Sequence, residues 1–186
     1  MDALARLVAV EEIREAVLRY CRGLDRLDAD LLRSAYVPGA VDDHGVFVGN
    51  AWEFCRRVVE SHRSFDATMH CVLNHLVELD GPDGARGEVY VLAHVLRRDD
   101  EASLVHDAWW GRYADRYGRR DGRWGIAHRV TVHEWTRRKP LGAPMRSDTG
   151  LFRQGSEDRG TGAALGPGAF PPRSGAGGSG APATAG

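Results

Sequence analysis

The apolar residues near the start of the chain recur with the spacing of an α-helix. From about Ala5 to Leu24, a rotation of roughly 100° per residue places Ile13, Val17 and Cys21 in one apolar arc, which predicts a helix with one buried face. Asp25 falls inside the same arc. Because a buried carboxylate is costly unless it is paired or hydrogen-bonded, we expect a partner elsewhere in the chain, and a histidine on a strand is the best candidate.

A second interpretation places Asp25 beyond the end of this helix, in contact with water. Gly23 is a residue that typically ends a helix, and Asp28 is a typical N-cap for a following helix. Periodicity alone leaves the two interpretations open.

Shorter elements follow the first helix. A second helix is predicted over Asp30–Tyr36, and it ends at Val37-Pro38-Gly39 because the residue before a proline avoids the α region. Residues 40–48 are predicted to form a strand with a turn at positions 44–45. Asn50 is an N-cap with an acidic residue at the third helical position, which predicts a helix from there to about His62.

From Thr68 to Trp135 the apolar residues recur with a period of two. Turn sequences at residues 80–84, 99–101 and 119–122 divide this segment into four long strands of an antiparallel meander. Both faces of these strands are apolar, so the sheet is covered on both sides or curls around something. The order of elements predicts an α+β fold, with helices on one face of a strongly curved, mostly antiparallel sheet and a cone-shaped hollow between them.

The composition changes after Lys139. Twelve of the 23 glycines and six of the eight prolines lie from Pro140 onward. This segment has too few large apolar residues to offset the entropy that ordering would cost. We therefore expect one folded domain over residues 1–139 and a disordered tail over residues 140–186.

Charge and cysteine content exclude several partners. The formal net charge of -1 gives no general attraction to nucleic acid or to an anionic membrane. No stretch is apolar over the ~20 residues that a membrane helix needs, and the N-terminus has no basic region followed by a long apolar run. Cys21, Cys55 and Cys71 are widely spaced and odd in number, as expected for reduced thiols. We expect a cytoplasmic protein with no nucleic-acid and no membrane partner.

Two histidines, His70 and His94, lie among apolar neighbours on strands that are predicted to face the hollow. A buried histidine needs a partner for at least one ring nitrogen, and Asp25 can supply one to His70. Such a pairing would fix the imidazole tautomer and stabilise the imidazolium, as general base catalysis requires. The alternative is that both are core histidines whose ring nitrogens bind backbone carbonyls. His128 and His133 are five residues apart on a strand and face opposite sides, so no metal site is expected.

Several of these residues stand in a pattern that resembles a known family, the SnoaL-like group of the nuclear transport factor 2-like superfamily. The pattern consists of Arg19-Tyr20 followed by Asp25, the run from His70 to Asn74, Gly111-Arg112-Tyr113, and the run from Arg120 to Ile126 leading to Arg129. The group includes scytalone dehydratase, bile-acid 7α-dehydratase and hexachlorocyclohexane dehydrochlorinase. The resemblance covers about residues 4–135 and implies a cone-shaped α+β barrel, in which the curved sheet wraps around the N-terminal helices.

The resemblance also implies roles for individual residues. Asp25 and His70 would form a catalytic dyad in which His70 is the base. Tyr20 matches the family's tyrosine five positions before the aspartate. His94 matches a second histidine found in scytalone dehydratase, and Arg129 matches an arginine of several related lyases.

The implied activity is that of a lyase that needs no cofactor. His70 would remove a proton next to a carbonyl, and His94 would protonate the departing hydroxyl. Tyr20, with Arg129 or Asn74, would stabilise the enolate oxygen. The same groups could instead run an isomerisation or a polyketide cyclisation. The fold also serves as a non-catalytic small-molecule-binding or dimerisation module, which need not pair the dyad and can fill its hollow with side chains.

The walls of the hollow are rich in aromatic and aliphatic residues, which favours a hydrophobic, flat, polycyclic substrate such as a steroid or a polyketide. On the first strand this chain has Asp43-His44 where scytalone dehydratase has a pocket tyrosine, so we expect its substrate to differ. The expected substrate-binding residues are His44, Asn74, Tyr90 and Trp110. Tryptophans 109, 110, 124 and 135 are too many to fit the inside of a cone, so we expect the outer face of the sheet to form a homodimer.

Overall fold

The structure is a computed structural model that describes residues 1–141 and 159–160. Its helices are α1 (Ala3–Arg26), α2 (Ala29–Arg33) and α3 (Ala51–His62). Its strands are β1 (Tyr36–Asp43), β2 (Val48–Asn50), β3 (Ala67–Leu79), β4 (Gly84–Arg98), β5 (Leu104–Arg120) and β6 (Arg123–Pro140).

The strands form one mixed sheet in the order β2-β1-β6-β5-β4-β3. Strands β1 and β6 run parallel, and the other neighbours are antiparallel. Helix α1 packs across one face of the sheet against β3 and β6, and α3 packs against β1. The sheet is open, with β2 and β3 at its edges, and it curls around the helices. The predicted α+β cone is confirmed, including the four-stranded meander of β3 to β6.

Helix α1 continues past Gly23 and ends at Arg26, where Leu27 caps it in the left-handed region with a φ of 55°. Gly23 lies where α1 meets α2. A Cβ at this position would lie 2.6 Å from the backbone nitrogen of Leu32, which is too close for a side chain. The glycine therefore permits close helix packing. The interpretation that placed Asp25 beyond the helix end is wrong, and Asp25 is part of the last turn.

The pairing register between β3 and β4 decides which side chains face the helices. Directly paired residues of antiparallel strands point to the same face, and His70 pairs with Ala93 whereas Met69 pairs with His94. Ala93 is buried under the helices, and Met69 is 55% exposed on the outer face. His70 therefore lies on the inner face, and His94 lies on the outer face.

A β-bulge interrupts β3 between Val72 and His75. The two residues inside it, Leu73 and Asn74, are exposed, and the side chain of His75 returns to the inner face. Beyond the bulge the odd-numbered residues of β3 face inward, whereas before it the even-numbered residues do.

The core fills the space between α1, α3 and the inner face of the sheet. Its aliphatic members at 0–1% exposure include Ile13, Val17, Val89, Val91 and Ile126. The deep part of the cone also holds polar and aromatic side chains, among them Tyr20, Tyr113 and Arg129. The predicted hollow is therefore largely filled at depth, and the accessible polar groups lie toward its mouth.

Two predicted elements differ in their bounds. The second helix was predicted to reach Tyr36, but α2 ends at Arg33 because Tyr36 pairs with Ile126 of β6 and starts the first strand. The strand predicted over residues 40–48 begins earlier, at Tyr36, whereas its predicted turn at positions 44–45 is confirmed by the loop, with Gly45 at a φ of 73°, that leads into β2. Sheet pairing overrides local helix preference between Ser34 and Gly39.

The predicted disordered tail lies almost wholly outside the described residues. Of residues 140–186, the structure describes positions 140, 141, 159 and 160. The Leu141 amide donates to the Leu104 carbonyl at 2.9 Å. The Arg159 guanidinium donates to the Phe65 carbonyl at 2.7 Å and to the His62 carbonyl at 3.2 Å, next to the end of α3.

Candidate active site

Asp25 and His70 form a hydrogen-bonded pair between helix α1 and strand β3. His70 Nδ1 lies 2.7 Å from Asp25 Oδ1, and the backbone amide of His70 donates to Asp25 Oδ2 at 2.9 Å. The carboxylate therefore fixes both the ring and the strand backbone, which sets Nδ1 as the donor and leaves Nε2 as the basic nitrogen. The side chains are 8% exposed for His70 and 13% for Asp25. Among the described residues, His70 Nε2 has no hydrogen-bond partner.

A second pair of the same kind lies on β1 and the loop that follows it. His44 Nδ1 is hydrogen-bonded to Asp42 Oδ1, and the Tyr36 hydroxyl donates to Asp42 Oδ2. Asp42 is fully buried, whereas the His44 side chain is 20% exposed. The His44 ring stacks on Phe54 of α3 with a centroid distance of 4.3 Å, and its Nε2 lies 3.2 Å from the Tyr20 hydroxyl.

A buried ion pair of Arg129 and Asp115 lies deepest in the cone. The guanidinium donates from Nε to Asp115 Oδ1 at 2.8 Å and from Nη2 to Oδ2 at 2.6 Å, and Arg129 is fully buried. Its Cζ lies 4.2 Å from the centre of the Tyr20 ring and 3.8 Å from that of Tyr113. The Tyr117 hydroxyl also donates to Asp115 Oδ2, at 2.9 Å. Burial by itself would lower the pKa of Arg129, but the Asp115 carboxylate raises it well above the ordinary value.

The tyrosines around these pairs are held in their neutral form. Burial raises the pKa of Tyr20 and of Tyr36 well above the ordinary value, and it also raises that of Tyr113. Tyr20 is packed edge-on against Tyr36 and Tyr113, with ring centroids 6.0 and 5.5 Å away. A phenol that stays protonated can serve as a hydrogen-bond donor to an oxyanion.

Two further histidines of the inner face are held in their neutral form. Burial lowers the pKa of His75 to about 4, and its Nε2 lies 3.1 Å from the Tyr117 hydroxyl. Burial and the neighbouring His70 lower the pKa of His62, at the end of α3, to about 4. His62 Nδ1 is buried with no hydrogen-bond partner among the described residues.

Three of the predicted site residues lie on the outer face, away from His70. His94 Nδ1 is 2.8 Å from His106 Nε2, with the two rings stacked, so the prediction that His94 protonates a leaving group beside His70 is wrong. Tyr90 alternates with the buried Val89 and Val91 and is 43% exposed. Trp110 stacks on the exposed Trp135 with ring centroids 5.7 Å apart. Neither aromatic residue can line the inner site.

The other two corrections concern Asn74 and Arg129. Asn74 lies exposed in the β3 bulge, so it does not face the site. Arg129 faces inward as predicted, but two of its three guanidinium nitrogens are committed to Asp115, and Nη1 is buried with no partner among the described residues. Its guanidinium lies against the face of the Tyr20 ring.

Sequence reasoning missed Asp42, Tyr36, Asp115 and His75. A signal was present for two of them, since Asp42 lies two residues before His44, and Asp115 alternates with Tyr113 and Tyr117 along one strand. Residues two apart on a strand share a face. His75 had no such signal, because the bulge that turns it inward is not visible in the alternation.

No group of three or more His, Cys, Asp or Glu side chains within residues 1–141 and 159–160 is placed to hold a metal ion. In the same part of the chain, no helix has both the length and the apolar character needed to cross a membrane.

The curved sheet with its helical cover is the fold that the resemblance to the SnoaL-like group implied. The model of the SnoaL-like domain family matches residues 5–130. This match covers more than half of the chain, and the chain belongs to the SnoaL-like family. No curated protein matches the sequence.

Solved structures with the same fold include proteins described as a dehydratase and as dehydrochlorinases. A protein described as a candidate scytalone dehydratase, from Novosphingobium aromaticivorans, is 20% identical with a TM-score of 0.65, over 76% of this chain and 95% of its own. A type 2 hexachlorocyclohexane dehydrochlorinase is 19% identical with a TM-score of 0.67, over 81% of this chain and 100% of its own. The type 3 dehydrochlorinase of Novosphingobium barchaimii is 21% identical with a TM-score of 0.63, over 76% and 96%.

Proposed function

We propose that the protein is a lyase of the dehydratase type, which removes a proton next to a carbonyl and expels water from the adjacent carbon without a cofactor. The observation that carries the proposal is the 2.7 Å hydrogen bond between His70 Nδ1 and Asp25 Oδ1. It leaves Nε2 as a base near the mouth of the cone, where both side chains keep some exposure. Membership of the SnoaL-like family and the fold shared with named lyases support the same reaction class.

The reaction starts with transfer of the α-proton to His70 Nε2, and the C–H electron pair forms the enolate. Asp25 stabilises the imidazolium that results, because its charge lies against Nδ1–H. The Tyr20 hydroxyl, kept protonated by burial, donates to the enolate oxygen. A donor of this kind in a water-poor site is worth about 2.7 to 4 kcal/mol. The C–O bond of the leaving group then breaks as the C=C bond forms. The departing oxygen takes the proton from His70 Nε2 and leaves as water, which returns His70 to its neutral form.

The substrate is a hydrophobic ketone with a flat, polycyclic body, such as a steroid or a polyketide. The core under the sheet is aromatic and aliphatic, and the His44 ring stacks on Phe54 of α3. Tyr20 and Arg129 fill the deep cone, so the body of the substrate stays near the mouth. Its carbonyl end points inward, toward the Tyr20 hydroxyl.

The test uses a panel of polycyclic β-hydroxy ketones incubated with the protein in D₂O. Mass spectrometry measures deuterium at the α-carbon and loss of water from the substrate. We expect His70→Gln to lower both rates by about 10²- to 10⁴-fold, because the base is removed. His106→Gln makes the same chemical change on the outer face and should leave both rates unchanged. Exchange by His70→Gln at the wild-type rate would exclude His70 as the base.

The same assay separates the related activities. Deuterium uptake with a shifted double bond and no loss of water would assign an isomerase, and ring closure would assign a polyketide cyclase. These reactions share the enolate step, so they would keep the roles of His70 and Tyr20.

A second candidate function is a non-catalytic small-molecule-binding or dimerisation module. The dense packing of Tyr20, Tyr113 and Arg129 in the deep cone favours it, since a module of this kind needs no open chamber. Binding of the same ketones, seen as shifts of backbone NMR signals around His70, with no deuterium exchange in the wild-type protein, would assign this function.

The proposal includes a cytoplasmic location. Cys21, Cys55 and Cys71 are free thiols, and burial raises the pKa of Cys21 and Cys55 to about 12. Thiols that stay protonated and unpaired suit a reducing compartment.

A further inference from the structure

The proposed reaction uses the single proton of the Tyr20 hydroxyl as a donor to the enolate oxygen, but this hydroxyl is already hydrogen-bonded within the protein. The second Asp/His pair, Asp42 with His44, lies on the inner side and is linked by one hydrogen bond to Tyr20. We propose that Asp42 holds His44 as an imidazolium, and that this imidazolium donates to the Tyr20 oxygen and so frees the only proton of Tyr20 for the substrate oxygen. The inference rests on the proposed function and adds Asp42 and His44 to it as positioning residues.

The charges of the buried interior support an imidazolium at position 44. Asp42 is 0% exposed and Asp115 3%, whereas Arg129, at 0%, is bound through two nitrogens to Asp115 alone. The buried set thus holds two carboxylates and one guanidinium. An unpaired buried carboxylate is strongly unfavourable. Among the described residues, the His44 ring is the group in contact with Asp42 that can carry a positive charge.

The hydrogen bonds of Asp42, His44 and Tyr20 fit the same protonation state of His44. The two oxygens of Asp42 accept from the Tyr36 hydroxyl and from His44 Nδ1, so Nδ1 carries a proton. If Nε2 had none, it would accept the Tyr20 proton, and Tyr20 would have nothing left to donate. With a proton on Nε2, the Tyr20 oxygen accepts from His44 across 3.2 Å and its own O–H is free.

Several titratable or charged groups face this pair from every element packed around it. They are Tyr20 of α1, Tyr36 of β1, His62 of α3, Tyr113 of β5 and Arg129 of β6. The three phenols stay neutral and His62 stays uncharged near neutral pH, because burial opposes their ionisation.

The first test reads the state of His44 directly and does not depend on activity. Nitrogen-15 chemical shifts of the histidine rings are measured at neutral pH, with the His44 signal assigned by its loss in His44→Gln. We expect protons on both nitrogens in the wild-type protein and a neutral ring in Asp42→Asn. A neutral His44 ring in the wild-type protein would overturn the inference, whether or not any ketone is turned over.

The second test uses the deuterium-exchange assay with two variants of His44. His44→Gln keeps an N–H donor for the Tyr20 oxygen, so it should stay within about tenfold of wild type. His44→Leu removes the donor and should lower exchange by about 10²-fold. Equal exchange by the two variants would contradict the inference.

A double-mutant cycle shows whether Asp42 acts through Tyr20. His44→Leu, which removes the ring that Asp42 holds, and Tyr20→Phe should each lower exchange by about 10²-fold, and the double variant should be no slower than Tyr20→Phe. Multiplied losses in the double variant would overturn the inference. If His70→Gln is fully active, the proposed function fails, while the nitrogen-15 shifts of His44 still show whether its ring carries both protons.

Discussion

Arg129 carries a full charge at a position with no solvent contact, and Asp115 compensates it. The two parallel hydrogen bonds at 2.8 and 2.6 Å give the geometry in which a buried pair offsets its desolvation. The faces of the guanidinium are covered by the Tyr20 and Tyr113 rings at 4.2 and 3.8 Å. This single residue therefore fixes the Tyr20 ring, and with it the hydroxyl that the proposed reaction uses.

Removing one partner of this pair leaves an uncompensated buried charge. Asp115→Asn is expected to lower the free energy of unfolding by about 3–5 kcal/mol. The measurement is urea unfolding followed by circular dichroism. Glu78→Gln is the matched control: it removes the partner of Arg86, whose side chains are 53% and 71% exposed, and it should leave stability close to wild type. Equal effects of the two variants would show that Arg129 is not held by Asp115.

At the scale of elements, the bulge in β3 decides what the inner face contains. It removes Leu73 and Asn74 from the alternation and turns His75 toward Tyr117. The Tyr117 proton goes to Asp115, so His75 donates from Nε2 to the Tyr117 oxygen. The strand thereby adds a neutral imidazole to the support of the buried ion pair.

His75 should make stability depend on pH. Its pKa is about 4 in the folded protein against 6.5 as the ordinary value, because burial disfavours the charged ring. Between these values the unfolded chain binds a proton and the folded one does not, so stability falls as the pH drops from 6.5 to about 4. We expect His75→Gln to reduce the proton uptake on unfolding by about one in this window. The check is the slope of unfolding free energy against pH, and an unchanged slope would show that His75 already titrates normally.

At the scale of the whole molecule, the outer face of the sheet is an apolar surface that no described residue covers. Met69, Leu76, Tyr90 and Trp135 are 55%, 62%, 43% and 57% exposed on it. Exposed apolar residues that lie together on one surface mark an interaction site. We propose that a second copy of the chain covers this face in a homodimer.

Light scattering at micromolar concentration should give the mass of a dimer for the wild-type protein. Leu76→Lys places a charge among the exposed apolar residues of the outer face and should give the mass of a monomer. Leu7→Lys is the control, because Leu7 is 69% exposed on α1 and lies away from the sheet. A monomeric wild-type protein, or dissociation by Leu7→Lys alone, would exclude this interface.

Much of the architecture could be predicted because its signals are local. The apolar arc of α1 and the alternation and turns of β3 to β6 each follow from the positions of neighbouring residues. The partner of Asp25 could also be predicted, since an acidic residue in an apolar arc requires one and His70 lies on a strand among apolar neighbours. The assignments of His94, Tyr90 and Trp110 failed for one shared reason: β4 and β5 are apolar on both faces, so the pattern does not tell which set of side chains points inward.

Local patterns along the chain set the elements, their order and the need for a partner at Asp25, because periodicity and the cost of a buried charge act within one segment. Long-range packing sets two further contacts. One is the register of β3 on β4, which separates His70 from His94, and the other is the approach of β1 to α1, which joins His44 to Tyr20. These contacts connect residues far apart in the chain. Their geometry follows from how the whole sheet curves over the helices, and no single stretch of sequence contains that information.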